Sequence, residues 1–333
     1  MTLLIVLSVV SFLISLFAVD FIRQRLGQSL LDIPNGRSSH TQPTPRGGGL
    51  GFIIAFAATS AIAAIGNIYF NQFEFIPNLL ILWLVLAPLA IIGIIDDKSN
   101  VPARIRYSVQ LIVAGVAVAG FGSFPQPWLT SLGTAGNMIA IALTVIGMTA
   151  TINFYNFLDG LDGLVAGVAV IELSFLALYL HQPILWLLVA ALLGFLRWNW
   201  SPAKIFMGDA GSTILGATVA CALLNTSSNE PIQAWSALTV TLPLVGDAIY
   251  TLVRRLLRRE NIFQAHHSHV YQRLQQIGWS HAQVAATYIG LTLLIAVCLG
   301  FSWQIGAVTS LAVVVAGVVG EIYLRSRVLK QEF

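Results

Sequence analysis

Apolar residues form long unbroken runs along this chain, and polar residues gather in the short stretches between them. A membrane-spanning helix needs about 20 apolar residues. The pattern predicts such segments at roughly 2–22, 48–66, 77–95, 105–121, 136–154, 164–180, 183–198, 210–225, 232–252, 282–301 and 303–324. The runs are solidly apolar and do not alternate, which argues against a membrane β-barrel. The expected fold is therefore all-α: a polytopic membrane protein of about eleven transmembrane helices. The sixth to the eighth segments are among the shorter ones.

Composition agrees with this pattern. The chain is 57% hydrophobic and 9% charged, against roughly 25% charged in an ordinary soluble protein. No polar stretch reaches the roughly 50 residues that a soluble domain needs. Residues 1–333 are thus expected to form a single integral membrane domain. The N-terminal run has no basic stretch before it and no small-residue cleavage site, so it should remain as the first membrane helix. Cys221 and Cys298 lie in apolar runs and read as small core residues, not as a disulfide.

Charge orients the segments. With eleven crossings, the polar stretches fall alternately on two sides. All 17 Lys and Arg lie in one set, counting those at adjoining helix ends: 23–47, 96–104, 155–163, 199–209, 253–281 and the tail after 324. The positive-inside rule makes that side cytoplasmic. The N-terminus is then outside and the C-terminus inside.

The same side carries the candidate chemistry. Residues 153–163 read NFYNFLDGLDG, with Asn153, Asn156, Asp159 and Asp162 at the end of an apolar run. Carboxylates are costly beside hydrocarbon and mark functional sites there, although Asp-Gly is also an ordinary turn signal. Asp96 and Asp97 are adjacent at another helix end, suiting a divalent cation or a general base. Asp209, between Gly208 and Gly211, opens a further helix and could hold Mg²⁺ carrying substrate phosphates. Lys204 could pair with phosphate, and Phe206 could stack on a base or simply pack. The first loop, LDIPNGRSSHTQPTPRGGGLG, sets a glycine run at a helix start, which suits phosphate binding; Arg37 and Arg46 add positive charge. The alternative is a flexible basic loop. RRLLRR, 254–259, reads as a positive-inside helix end or a lipid-headgroup contact. HHSH, 266–269, could bind a metal or donate to phosphate; zinc is set aside because no cysteine accompanies it. Asp247 is one more acid near hydrocarbon. Together these groups suit Mg²⁺-assisted transfer of a phosphorylated group to or from a lipid-borne substrate.

These motifs resemble those of the polyprenyl-phosphate N-acetylhexosamine-1-phosphate transferases, relatives of phospho-MurNAc-pentapeptide translocase. The resemblance runs from about Asp32 to Arg273 and rests on Asp96-Asp97-Lys98, NFYNFLDGLDG and PAKIFMGDAGS. It implies transfer of a sugar-1-phosphate from a UDP-N-acetylhexosamine to undecaprenyl phosphate, with release of UMP. It implies Asp209 as the Mg²⁺ ligand with Asn156 as a second, Mn²⁺ being an alternative ion. Asp96 would be the base toward the lipid phosphate, with Asp97 beside it and Asp159 in the same site. Phe206 would stack on uracil with Asp162 near the base, and His269 would meet a substrate phosphate. The histidine segment departs from many relatives, which separate their histidines; this bears on His266 and His267. The first loop and HHSHVYQR look most like the branch that begins O-antigen-type polysaccharides. The implied setting is the bacterial inner membrane, with the active site cytoplasmic, no nucleic-acid partner and a homodimer left open. A secondary transporter is the competing class, but transporters hold their charges near the midplane, and here the charges stand at one face.

Overall fold

A computed structural model describes residues 2–25, 31–34, 42–70, 79–226, 230–261 and 266–331. Its helices, in chain order, are α1 (Thr2–Arg25), α2 (Gly49–Phe70), α3 (Leu79–Ser99), α4 (Ala103–Phe121), α5 (Gly133–Leu158), α6 (Leu164–Tyr179), α7 (Leu185–Asn199) and α8 (Asp209–Leu224). They continue with α9 (Pro231–Leu238), α10 (Leu242–Leu257), α11 (Val270–Gln276), α12 (His281–Phe301) and α13 (Trp303–Gln331). The protein is an all-α polytopic membrane protein. Its one sheet among the described residues is the pair β1 (Leu31–Asp32) and β2 (Thr44–Pro45), with Leu31 opposite Pro45. The sequence pattern does not announce that pair.

Eight stretches are long and apolar enough to cross a membrane, counting α9 and α10 as one. Three shorter apolar helices, α6, α7 and α8, have 16, 15 and 16 residues. Each apolar run read from the sequence thus coincides with a helix, or with the α9–α10 pair. That pair is one run broken by a 3₁₀ turn at Thr239–Thr241, just before Pro243. Proline lacks the N–H a continuous helix would need there.

The three short helices are the interior. Every residue of α8 from Ala210 to Leu224 is buried; α2, α3, α4, α5, α6 and α9 all touch it. Longer helices surround it and turn side chains such as Phe17, Leu80, Ile112 and Leu311 outward. Such apolar exteriors suit lipid, while close helix approach inside uses small residues. Gly93 of α3 shows this: a Cβ there would lie 2.4 Å from the Ala210 Cα. Polar side chains also tie neighbouring helices together. The Tyr155 hydroxyl of α5 donates to the buried Glu172 carboxylate of α6, and Asn153 Nδ2 donates to Gln110 Oε1 of α4 at 2.7 Å.

Candidate active site

The close contact of α3 with α8 carries the two adjacent aspartates to the start of α8. Gly93 is one helical turn before Asp96 and Asp97, hence on the same face. Asp97 Oδ1 accepts the Asp209 N–H at 3.0 Å, filling one of the free donors at the helix start. Gly208 has φ +80°, and a Cβ on it would fall 2.7 Å from Asp97 Oδ2. Only glycine suits both the left-handed backbone and the approach. Asp209 Oδ1 in turn accepts from Asn156 Nδ2 of α5 at 3.0 Å, and the same amide reaches Ser212 Oγ at 3.1 Å.

Asp96 is differently placed. Its Oδ1 accepts the Val101 N–H at 2.6 Å and its Oδ2 pairs with Arg106 Nη1 at 2.5 Å. The same guanidinium nitrogen lies 3.5 Å from Asp209 Oδ2. Along the chain Arg106 is only one of the topological charges; nothing local marks it as a site residue.

The loop after α5 separates its two aspartates. Burial pushes the Asp159 carboxyl up to about 8, and the charges of Asp209 and Asp97 add to the push while Arg46 opposes it. Asp162 turns the other way. Its Oδ2 accepts the Ala203 N–H at 3.1 Å, and Oδ1 lies 3.2 Å from His281 Nδ1. Burial acts to raise its carboxyl, but the His281 contact and the Ala203 amide hold it below the usual range. Asp162 thus ties the loop to the 200–204 turn and the start of α12. Gly160 gives room for Tyr271, whose hydroxyl donates to the Phe157 carbonyl at 3.2 Å.

The glycine run of the first loop has a structural use. Gly48 N–H donates to Phe206 O and Gly49 N–H to Met207 O, both at 2.9 Å, and Phe206 N–H donates to Pro45 O at 2.8 Å. A Cβ on Gly49 would stand 2.6 Å from Gly211 Cα. The amides of Gly48 and Gly49 are therefore spent on docking the loop, not free for phosphate. Arg46 Nη2 reaches Asp32 Oδ2 at 2.9 Å, close enough to Asp209 and Asp97 to act on them electrostatically. Arg37 lies outside the described residues. Ile205 and Met207 are buried and Phe206 between them is only partly so, as in an extended strand. Lys204 is exposed, its ammonium 5.7 Å from the Trp198 ring.

The histidine segment packs on α10. Asp247 accepts the Val270 and Tyr271 amides at 2.9 and 3.1 Å and the Tyr288 hydroxyl at 2.7 Å. His269 is buried, with Nδ1 3.4 Å from Asp247 Oδ1. His266 is more open, its ring centroid 4.8 Å from that of His269. Burial, then the neighbouring His269, Arg255 and Arg254, push His266 down to about 4. It is therefore neutral at neutral pH. Of the RRLLRR run, Arg254 and Arg255 are buried, whereas Arg258 and Arg259 are exposed.

The structure therefore gathers Asp96, Asp97, Asn156, Asp159 and Asp209 with Arg46 and Arg106, leaves Lys204 exposed, and has Asp162 and His269 engaged with protein partners. An oxygen-rich acidic cluster at helix ends of a membrane bundle is the kind of site that handles a phosphorylated substrate beside a lipid surface. Comparison with known proteins sharpens this. The pattern of glycosyl transferase family 4 matches residues 79–227, which include Asp96, Asp97, Asn156, Asp159 and Asp209. A probable undecaprenyl-phosphate N-acetylglucosaminyl 1-phosphate transferase of Bacillus subtilis is 31% identical over 319 residues, covering 90% of this chain and 84% of the relative. A decaprenyl-phosphate N-acetylglucosaminephosphotransferase of Mycobacterium tuberculosis is 30% identical, covering 80% and 73%. An undecaprenyl-phosphate alpha-N-acetylglucosaminyl 1-phosphate transferase of Yersinia pestis is 30% identical, covering 76% and 72%. The chain belongs to glycosyl transferase family 4, among its polyprenyl-phosphate N-acetylhexosamine-1-phosphate transferases.

Proposed function

We propose that this enzyme transfers N-acetylglucosamine-1-phosphate from UDP-N-acetylglucosamine to undecaprenyl phosphate, releasing UMP, as the first step of an O-antigen-type surface polysaccharide. The observation that carries the reading is the meeting of Asp97, Asn156 and Asp209, from three separate motifs, at the start of α8. Residues 1–333 act as one transferase domain.

An oxygen of the lipid phosphate attacks the sugar-bound phosphorus, and the bond to the UMP oxygen breaks. Among the described residues no three His, Cys, Asp or Glu side chains form a ready metal cage. The donors nonetheless fit a hard divalent cation: all are oxygens, and Asp97, Asp159 and Asp209 are crowded enough to hinder one another's ionisation, as the Asp159 carboxyl, raised by burial and then by the other two charges, shows. Asp209 and the carbonyl oxygen of Asn156 would hold Mg²⁺ or Mn²⁺, which when bound neutralises the diphosphate. Arg106, held by Asp96, and Arg46 offer further positive charge to phosphate oxygens. Phe206, partly exposed, would stack on uracil. His266 donates one ring N–H to a phosphate, and His269, packed on Asp247, holds the segment in place. Purified protein with a panel of UDP-sugars and undecaprenyl phosphate should release UMP fastest with UDP-N-acetylglucosamine. No UMP with any of them would sink the proposal.

The proposed topology has eleven crossings of the bacterial inner membrane, N-terminus outside, C-terminus and active site cytoplasmic. It is supported by the one-sided distribution of Lys and Arg and by the convergence of the loops of that side on one site. In a background lacking Cys221 and Cys298, a cysteine at Ser123 should react with an impermeant reagent in intact cells and one at Ser99 should not. The reverse would invert the topology.

Asp96 has both oxygens engaged, so its task is to hold Arg106 as much as to take a proton. Asp96→Asn should lower kcat by about 10- to 100-fold, the usual cost of misplacing a catalytic group, while the Kd for UDP-sugar stays near wild type. Loss of nucleotide binding would instead place Arg106 on the nucleotide.

A further inference from the structure

Glu321 of α13 is far along the chain from every motif that carries the proposed chemistry, yet it is only 2% exposed. Its carboxylate takes three donors. Arg254 Nη1 of α10 lies 2.6 Å from Oε1. Arg273 Nη1 of α11 donates to the same oxygen. The Tyr250 hydroxyl donates to Oε2 at 2.8 Å. Arg254 is itself 8% exposed, and its other terminal nitrogen, Nη2, donates to the Ser268 carbonyl. A continuous path of contacts thus runs from α13 through Arg254 into the histidine segment.

Helix α10 is arranged for this. Asp247, Tyr250 and Arg254 are spaced i, i+3 and i+7, which puts them on one face. From that face Asp247 takes the amides of Val270 and Tyr271, and Arg254 takes the carbonyl of Ser268. The backbone around His269 is gripped on both sides, its donors by an anion and its acceptor by a cation. A topological arginine would be free to reach lipid headgroups. Arg254 has given up water for one carboxylate and one loop carbonyl, and desolvating a charge is costly unless it is fully partnered. Glu321 is the partner that keeps it charged and aimed. Arg273, in the last turn of α11, reaches the same carboxylate, so the short helix that follows the histidines depends on it too.

We propose that Glu321 is a positioning residue: through Arg254 it fixes the Ser268 carbonyl, and with it the placing of His266 for the phosphates of the sugar nucleotide. The inference rests on the reading of residues 266–269 as a phosphate-binding segment.

The test compares full-length purified variants by melting temperature and by kcat and KM for UDP-N-acetylglucosamine. Glu321→Gln should raise KM about tenfold or more while kcat changes much less, since a loosened outer partner typically costs about 10- to 100-fold. Glu321→Asp should recover most of that loss. Removing one member of a buried ion pair also destabilises, whereas replacing both by apolar residues often does not. The double variant Glu321→Met with Arg254→Met leaves only the partly exposed Arg273 without its carboxylate, so it should melt closer to wild type than Glu321→Gln and still show the raised KM. A double variant that regains normal KM along with its stability would make the cluster merely structural and overturn the proposal. So would a folded Glu321→Gln with normal KM when His266→Ala raises it. If neither His266→Ala nor His269→Ala alters KM, the phosphate-binding reading itself fails, and the positioning role fails with it.

Discussion

Asp209→Asn is expected to abolish transfer in a protein that still folds. The substitution keeps the shape: an asparagine oxygen can still accept the Asn156 amide that now lies 3.0 Å from Oδ1. The main-chain bond to Asp97 uses the Asp209 N–H and survives the change. What disappears is the negative charge at the point where Asp97, Asn156 and Arg106 meet. Losing one strong electrostatic stabiliser typically costs about 10²- to 10³-fold in turnover. UMP release should fall by at least about 10²-fold, with a melting temperature near that of the wild type. A Mg²⁺ titration is the informative control. Near-normal turnover with an unchanged Mg²⁺ dependence would remove Asp209 from the role of main ligand.

Gly93→Ala should be nearly as damaging although it touches no polar group. A Cβ at that position would lie 2.4 Å from Ala210 Cα, 2.6 Å from Ala210 N and 2.9 Å from Ala210 Cβ. These are backbone atoms and a methyl, with no flexible chain end to swing aside. The helices α3 and α8 must part, and overpacking of this kind costs about 1–3 kcal/mol. Because Asp97 is one turn further along the same face, the separation also pulls its carboxylate from the Asp209 amide. An error of about 1 Å in such an arrangement can cost 10²-fold in rate. Gly115→Ala on α4 is the matched control, since nothing lies within 4 Å of a Cβ there. Equal behaviour of the two variants would mean that the α3–α8 contact does not set the site.

Much of this protein can be read along the chain. The helix segments follow from hydropathy because the bilayer demands about 20 apolar residues per crossing. It also demands that each segment satisfy its own backbone. Short α6–α8 are legible as apolar runs, though not as the interior of the bundle. The motifs holding Asp97, Asn156, Asp159 and Asp209 are legible too, because acids beside hydrocarbon are costly and persist where function uses them.

Other features depend on packing that no local pattern encodes. Asp159 and Asp162 each precede a glycine in one short loop, and nothing in that loop tells them apart. The 200–204 turn and the start of α12 fold over Asp162 and take its carboxylate, leaving Asp159 to face Asp97 and Asp209. The glycines after Arg46 look like a phosphate cradle, yet the amides of Gly48 and Gly49 are claimed by Phe206 and Met207, over 150 residues later. Arg254 and Arg258 are one turn apart in the same basic run, but only Arg254 finds Glu321. Hydropathy and motif chemistry are properties of neighbours in sequence, so the chain alone determined which segments form apolar helices and which side chains could take part in chemistry. Partnership between groups far apart in sequence is a property of helix packing, and the tertiary structure alone decided which acids gather at the start of α8 and which are spent holding the loops together.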